Sequence, residues 1–237
     1  MEATAVKRLE EQLNEDFVDL VNVILDAKGR VVVTGIGKSA AIGTKIVATL
    51  NSTGTPAVFM HAADAVHGDL GMIQKDDIVI CISKSGNTPE IKALVPLIKQ
   101  SGNVLAAMVG DLGSFLAKNA KHNLDVSTDK EACPNNLAPT TSTTAQLAMG
   151  DALAVCLLKA RGFTSSDFAR YHPGGALGKR LYTTLGDLAS LNDKPIVEPD
   201  ATIREVIMEL TKKRLGAVTV LNNENVIGVI TDGDIQN

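Results

Sequence analysis

Aromatic side chains are scarce in this chain of 237 residues: they make up 3% of it, and tryptophan is absent. Proteins that bind single-stranded nucleic acid stack bases on aromatic rings, and proteins that bind DNA carry basic stripes. The net charge is −4 and no basic stripe is visible, so we expect no nucleic-acid partner. Because 45% of the residues are hydrophobic, we predict a sizeable core built from aliphatic side chains.

Cysteine is also rare, and neither a leader nor a membrane span is visible. Cys81, Cys133 and Cys156 form an odd set without metal-ligand spacing, which is typical of a reducing compartment. The N-terminus lacks a basic-then-apolar signal pattern. The most apolar helical run, residues 145–160, is interrupted by Asp151 and is too short to cross a bilayer. We therefore expect a cytoplasmic protein without a membrane partner.

Short apolar runs typical of buried strands alternate with helical periodicity along the first half of the chain. This alternation predicts an α/β fold with a five-stranded parallel sheet and helices on both faces. One amphipathic helix is predicted over residues 1–27, and an apolar helix is predicted over residues 145–160. The predicted strands are residues 30–34, 56–60, 77–82, 103–109 and 123–126.

A loop rich in hydroxyl groups, residues 83–88, follows the third predicted strand and precedes a helix. Thr88 suits the N-cap of that helix, and Pro89 suits its first position. In open parallel sheets ligands bind at the carboxyl ends of the strands, where free N–H groups and the helix dipole attract anions. We interpret Ser83, Ser85 and Thr88 as phosphate-binding hydroxyls; the alternative is an ordinary capped turn.

A glycine turn, residues 35–39, follows the first predicted strand. It is not a Walker A loop, because Val32 stands where that motif needs glycine. A dinucleotide-binding turn requires an acid at the end of the second strand, where His61 stands instead. The turn therefore brings Lys38 to the same sheet edge as the hydroxyl loop.

Three further polar residues each have two open interpretations. Glu90 lies in the first turn of a predicted helix, where a carboxylate is favourable with or without a function. Glu131 lies in the irregular segment 127–144, and it is either functional or a solvated loop acid. His172 precedes Pro-Gly-Gly and is either functional or the cap of a turn.

Seven short motifs follow one another along the chain. They are Gly-x-Gly-Lys-Ser at 35–39, His-Gly-Asp-Leu-Gly-Met at 67–72, Ser-x-Ser-Gly at 83–86, Lys-Glu-Ala-Cys-Pro at 130–134, Leu-Ala-Pro-Thr-Thr-Ser-Thr-Thr at 137–144, Met-Gly-Asp-Ala-Leu-Ala-Val at 149–155 and His-Pro-Gly-Gly-Ala-Leu-Gly at 172–178. Together they resemble the sugar isomerase (SIS) domain of D-arabinose 5-phosphate isomerases. The resemblance covers residues 1–185. Residues 186–237 resemble a single CBS motif, a small α+β unit that looks truncated relative to the usual pair.

The resemblance implies an aldose–ketose isomerase that interconverts D-ribulose 5-phosphate and D-arabinose 5-phosphate through a cis-enediol, toward Kdo of lipopolysaccharide or a capsule sugar. It implies a homo-oligomer, expected to be a tetramer. No cofactor is expected to be required, although His61 is a position where a divalent metal such as zinc could bind. Substrate contacts are expected, besides the hydroxyl loop, at Gly37, Ser39, Gly54, Thr55 and His67.

The four catalytic positions that the resemblance implies are Lys38, Glu90, Glu131 and His172. Lys38 is expected to stabilise the enediolate, Glu131 to act as base, Glu90 to orient the sugar and His172 to open the ring, although Glu131 and His172 could exchange roles. Members of the family often have Glu where this chain has Asn87. Two alternatives remain open: a regulator that senses a sugar phosphate without catalysis, and a hexulose 6-phosphate isomerase.

Overall fold

The chain folds into two compact units, the first from Met1 to His172 and the second from Pro173 onward. This computed structural model describes residues 1–236, apart from the side chains of residues 177, 191 and 236. The division falls ahead of the boundary that the sequence predicts after residue 185, because the helical segment after Pro173 belongs to the second unit.

The first unit begins with two helices, α1 (Glu2–Gln12) and α2 (Glu15–Asp26). The prediction of one helix over residues 1–27 is wrong at Leu13, whose backbone is extended (φ −66°, ψ 128°). Asn14 then caps α2, and its side chain accepts a hydrogen bond from the Phe17 N–H group. The apolar stripe continues across the break, so hydrophobic periodicity alone does not reveal it.

Five parallel strands form the predicted sheet, in the order β2-β1-β3-β4-β5. Strands β1 and β3 are buried at every position, as expected where helices cover both faces. The α/β fold predicted from the sequence is thereby confirmed. The strands are β1 (Val31–Gly35), β2 (Ala57–His61), β3 (Ile78–Ser83), β4 (Val104–Val109) and β5 (His122–Asp125).

Helices pack on both faces of the sheet because successive strand residues point to opposite sides. Val33 and Ile80 contribute to a core shared with α1, α2, α3 (Lys38–Ser52) and α7 (Thr141–Ala160). Their neighbours Val32 and Val79 contribute to a second core. Its helices are α4 (Ala62–Ala65), α5 (Pro89–Ser101) and α6 (Phe115–Asn119).

Helix α7 runs beside α3 in the same direction, and this determines where the chain after α7 lies. Near the start of both helices, the Ser39 hydroxyl donates to Gln146 Oε1 over 3.3 Å. Just after their ends, a Cβ added to Gly54 would lie 2.8 Å from the Phe163 ring. We call the edge where the strands end the carboxyl edge and the other the amino edge. Helix α3 runs from the carboxyl edge to the amino edge, because it joins the end of β1 to the start of β2. Helix α7 therefore runs from the carboxyl edge to the amino edge as well, and its 20 residues span about 30 Å.

The second unit is a three-stranded mixed sheet with four helices described around it. Val206, Leu210 and Val218 form its small core. Asn223 and Glu224 have φ angles of 48° and 70°, typical of a type I′ hairpin turn. Its elements are α9 (Ala176–Tyr182), α10 (Leu185–Leu191), β6 (Ile196–Val197), α11 (Ile203–Lys213), β7 (Ala217–Asn222), β8 (Asn225–Thr231) and α12 (Asp232–Gln236), while α8 (Ser165–Tyr171) ends the first unit.

None of the helices described in either unit is long and apolar enough to cross a membrane.

Candidate active site

The turn after β1 places Lys38 at the carboxyl edge. Gly37 caps α3 with a φ of 59°, a conformation that favours glycine, and exposed Lys38 is the first residue of the helix. Strands β1 and β3 are neighbours, with Gly35 opposite Ile82. The Lys38 turn therefore lies beside the loop that follows β3.

The hydroxyl loop after β3 is built as the sequence predicts, with Thr88 as the N-cap and proline as the first residue of α5. Its serines already accept hydrogen bonds within the loop: Ser83 Oγ from the Gly86 N–H group (3.1 Å) and Ser85 Oγ from that of Asn87 (3.3 Å). The Thr88 hydroxyl is buried and has no partner within the described residues. A buried hydroxyl without a partner at a helix N-terminus is suited to a ligand atom.

Gly86 and Asn87 lock this loop against the start of α6. Gly86 has a φ of 61°, and a Cβ there would collide with the Ser114 side chain. Asn87 Oδ1 accepts from the Phe115 N–H group (3.1 Å), while Asn87 Nδ2 donates to the Ser85 carbonyl (2.9 Å). A glutamate at this position could accept a hydrogen bond but not donate one, so it could not make both of the contacts that Asn87 makes.

Glu90 lies half-buried in the first turn of α5, directly after the hydroxyl loop. It is therefore at the carboxyl edge together with Lys38, as the sequence predicts from the strand–loop–helix order. A carboxylate in the first turn is compatible with the helix dipole.

Two predicted histidines lie at or after the carboxyl end of β2. His61 ends β2, and its Nδ1 lies 3.6 Å from Asp64 Oδ2. His67 is exposed just after α4. In residues 1–236, no three His, Cys, Asp or Glu side chains are grouped to hold a metal ion. His61 and Asp64 supply too few donors for a zinc site, so one chain does not fit zinc at this position and we derive no step through it.

Glu131 is not a solvated loop acid, because its side chain is completely buried. Lys84 Nζ lies 2.6 Å from Glu131 Oε1, and the Ser142 hydroxyl donates to the same oxygen. Glu131 Oε2 accepts from the N–H groups of Thr140 (2.9 Å) and Ser142 (3.1 Å) at the start of α7. The carboxylate thus neutralises an ammonium group and caps a long helix.

Burial raises the pKa of Glu131, but the hydrogen bonds from Lys84, Ser142 and Thr140 outweigh burial and lower this pKa from 4.5 to about 2. An efficient general base has a pKa near the working pH and an oxygen free to accept the proton. Glu131 has neither property in this structure. Its geometry suits the positioning of other groups.

Gly54 and Thr55 lie at the amino edge, because they precede β2 instead of following it. Thr55 is 2% exposed, and its hydroxyl has no partner among the described groups. One chain therefore does not bring these two predicted substrate contacts together with Lys38 or the hydroxyl loop.

His172 also follows α7 and so lies on the amino-edge side of the first unit. Its ring stacks on Phe168, with centroids 3.9 Å apart and planes 16° apart, and its Nδ1 lies 2.9 Å from the Phe168 carbonyl oxygen. The ring of Phe163, which lies against Gly54, stacks on Tyr171 over 5.8 Å. The structure thus divides the predicted site: Lys38, Glu90, Glu131 and the hydroxyl loop at one edge, and Gly54, Thr55 and His172 at the other.

Lys84 is the residue that sequence reasoning missed. It stands between two serines in the hydroxyl loop, and that position was the available signal. Its partner Glu131 is distant in sequence, so no local pattern predicted the ion pair.

Comparison with known proteins gives two family matches along the chain. The model of the SIS domain matches residues 24–156, within the first unit, and that of the CBS domain matches residues 185–237, within the second.

Several relatives that match this chain over its whole length are named arabinose 5-phosphate isomerase. The chain is 50% identical to "Arabinose 5-phosphate isomerase KdsD" of Pseudomonas aeruginosa, over 100% of this chain and 73% of that protein. It is 47% identical to the protein of the same name from Yersinia pestis, again over 100% and 73%. A solved Escherichia coli CFT073 protein in complex with A5P is 42% identical, with a TM-score of 0.70 over 73% of this chain and 92% of that one.

Proposed function

The chain belongs to the family of arabinose 5-phosphate isomerases, and on this premise we propose that it interconverts D-ribulose 5-phosphate and D-arabinose 5-phosphate. The reaction moves one proton between C1 and C2 and one between the two oxygens on these carbons, through a cis-enediol. The observation that carries the proposal is the grouping of Lys38, Glu90 and the hydroxyl loop at the carboxyl edge.

The hydroxyl loop is the part of the site that binds phosphate. The N-terminus of α5 and the unpartnered Thr88 hydroxyl support this assignment. Binding the phosphate away from the reacting carbons holds C1 and C2 in place for proton transfer. Lys38, on the neighbouring strand end, is assigned to the oxygen on which the enediolate develops negative charge.

We assign the carbon proton transfer to His172 instead of Glu131. A neutral imidazole has a ring nitrogen that can accept a proton, as a general base requires, whereas the carboxylate of Glu131 is saturated with donors. Glu90 orients the sugar hydroxyls. His172 thus takes the role of base that the resemblance gives to Glu131, and the proposed reaction needs no metal or cofactor.

His172 then serves the site of a second copy of the chain. It lies with Gly54 and Thr55 at the amino edge, about the length of α7 away from Glu131. A homo-oligomer in which the amino edge of one copy meets the carboxyl edge of another assembles all the predicted residues. We propose a homotetramer built in this way.

The proposed reaction takes place in the cytoplasm and supplies an arabinose phosphate for Kdo of lipopolysaccharide or for a capsule sugar. Cys81, Cys133 and Cys156 are all free thiols, which supports a reducing compartment.

The proposal is tested by incubating the protein with D-arabinose 5-phosphate in D₂O and following the sugar by NMR. We expect D-ribulose 5-phosphate to form, with deuterium entering at C1 or C2 because the proton exchanges with solvent in the enediol. The Lys38→Met variant should show neither formation of D-ribulose 5-phosphate nor incorporation of deuterium. Binding without isomerisation would instead identify a sugar-phosphate sensor, and turnover of a hexulose 6-phosphate alone would identify the other isomerase.

A further inference from the structure

Lys84 is a charged residue of the hydroxyl loop to which the proposed mechanism gives no role. It stands between Ser83 and Ser85 at the carboxyl edge, where phosphate is expected to bind. Its side chain is 48% exposed, so the ammonium group is accessible from outside although one of its partners is buried.

Lys84 is held by contacts to its backbone, to the stem of its side chain and to its ammonium group. The Gly110 N–H group donates to the Lys84 carbonyl over 3.1 Å. A Cβ on Gly110 would lie 3.5 Å from Lys84 Cγ, so the stem of the lysine passes directly over this glycine. At the far end, Lys84 Nζ lies 2.6 Å from Glu131 Oε1. A long side chain that is fixed in advance loses less entropy when it binds a ligand.

The ion pair with Glu131 does not use up the positive charge of Lys84. Glu131 also accepts from two N–H groups at the N-terminus of α7 and from the Ser142 hydroxyl. These groups compensate part of the carboxylate charge. An ammonium has three donors, and the contact with Glu131 occupies one of them, which leaves two for a ligand on the exposed side.

We propose that Lys84 binds the phosphate of the sugar and that Glu131 is the positioning residue that holds Lys84 in place. This rests on the proposed function, because it names a further contact of the same site. A sugar phosphate brings close to two negative charges, and a fixed ammonium beside two hydroxyls and a helix N-terminus matches them. Lys38 remains available for the reacting oxygens.

The proposal is tested with Lys84→Met, Lys84→Arg and the control Lys212→Met, in which an exposed lysine of α11 in the second unit is replaced. We measure KM, kcat and the inhibition constant of inorganic phosphate. Lys84→Met should raise KM and the inhibition constant by about tenfold each and change kcat by less than about threefold. Lys84→Arg should recover most of the loss, and Lys212→Met should match wild type.

The role of Glu131 is tested by adding Glu131→Gln to the Lys84→Met variant. If Glu131 acts on phosphate binding through Lys84, the added change should leave the inhibition constant of phosphate the same within about twofold. A further large rise would show that Glu131 acts independently of Lys84 and would overturn its positioning role. The double variant also serves if Lys84→Met alone fails to fold, because it no longer leaves a buried carboxylate unpaired.

Failure of this proposal can be told apart from failure of the proposed function. If wild type does not isomerise the sugar, the function fails, and calorimetry with inorganic phosphate still decides the role of Lys84. If wild type isomerises but Lys84→Met lowers only kcat and leaves phosphate inhibition unchanged, then Lys84 does not bind phosphate and the proposal is overturned.

Discussion

At the scale of single residues, Glu131 forms a buried ion pair with Lys84 and accepts hydrogen bonds from the start of α7. The loop pattern allowed a solvated acid, whereas the carboxylate is buried between Lys84 and the start of α7. This could not be predicted, because α7 begins at Thr141 and not at residue 145, and its first N–H groups are the donors that hold the carboxylate. Lys38 and Glu90, in contrast, follow directly from their strand–loop–helix order.

The lowered pKa of Glu131 predicts a specific dependence of stability on pH. A carboxyl whose pKa falls from 4.5 to about 2 on folding stabilises the folded state above pH 4.5 and loses that contribution as the pH falls toward 2. The contribution is about 3 kcal/mol at neutral pH. In urea unfolding, the stability difference between wild type and Glu131→Gln should therefore shrink between pH 5 and pH 3, by roughly half or more.

Other acids titrate equally in both proteins, so the difference between wild type and Glu131→Gln isolates this group. A difference that stays constant from pH 7 to pH 3 would contradict the hydrogen-bonded, ionised carboxylate described above.

At the scale of elements, the five strands were predictable because buried parallel strands appear as apolar runs. The break between α1 and α2 was not predictable from the sequence, because Asn14 interrupts the helix without interrupting the apolar stripe. The position of Gly54 at the amino edge follows from its place before a strand and could have been foreseen. The position of His172 at the amino edge could not have been foreseen, because it depends on the direction in which α7 runs alongside α3.

The hydroxyl loop depends on Gly86 for its shape. Alanine there would have to adopt a φ of 61° and would collide with Ser114 at the start of α6. We expect Gly86→Ala to raise KM by about tenfold or more, because it moves the phosphate-binding groups. The control is Gly228→Ala in β8, where a Cβ would meet no atom within 4 Å. Unchanged kinetics in Gly86→Ala would show that the loop does not bind the substrate.

At the scale of the whole molecule, the first unit carries every residue assigned to catalysis, but at two opposite edges of one sheet. The 20 residues of α7 separate these edges by about 30 Å, more than the length of a pentose phosphate. The roles proposed for Lys38 and His172 therefore require that copies of the chain associate, with each site completed across an interface between two of them. The second unit contributes no residue to this assignment.

The most direct test of this account mixes two inactive variants, Lys38→Met and His172→Ala, under conditions in which subunits exchange. If the site combines Lys38 of one copy with His172 of another, random mixing restores an intact pair at about a quarter of the sites. We therefore predict recovery of about a quarter of the wild-type turnover, while each variant alone stays inactive. A mixture that remains as inactive as its components, although exchange is complete, would contradict the shared site.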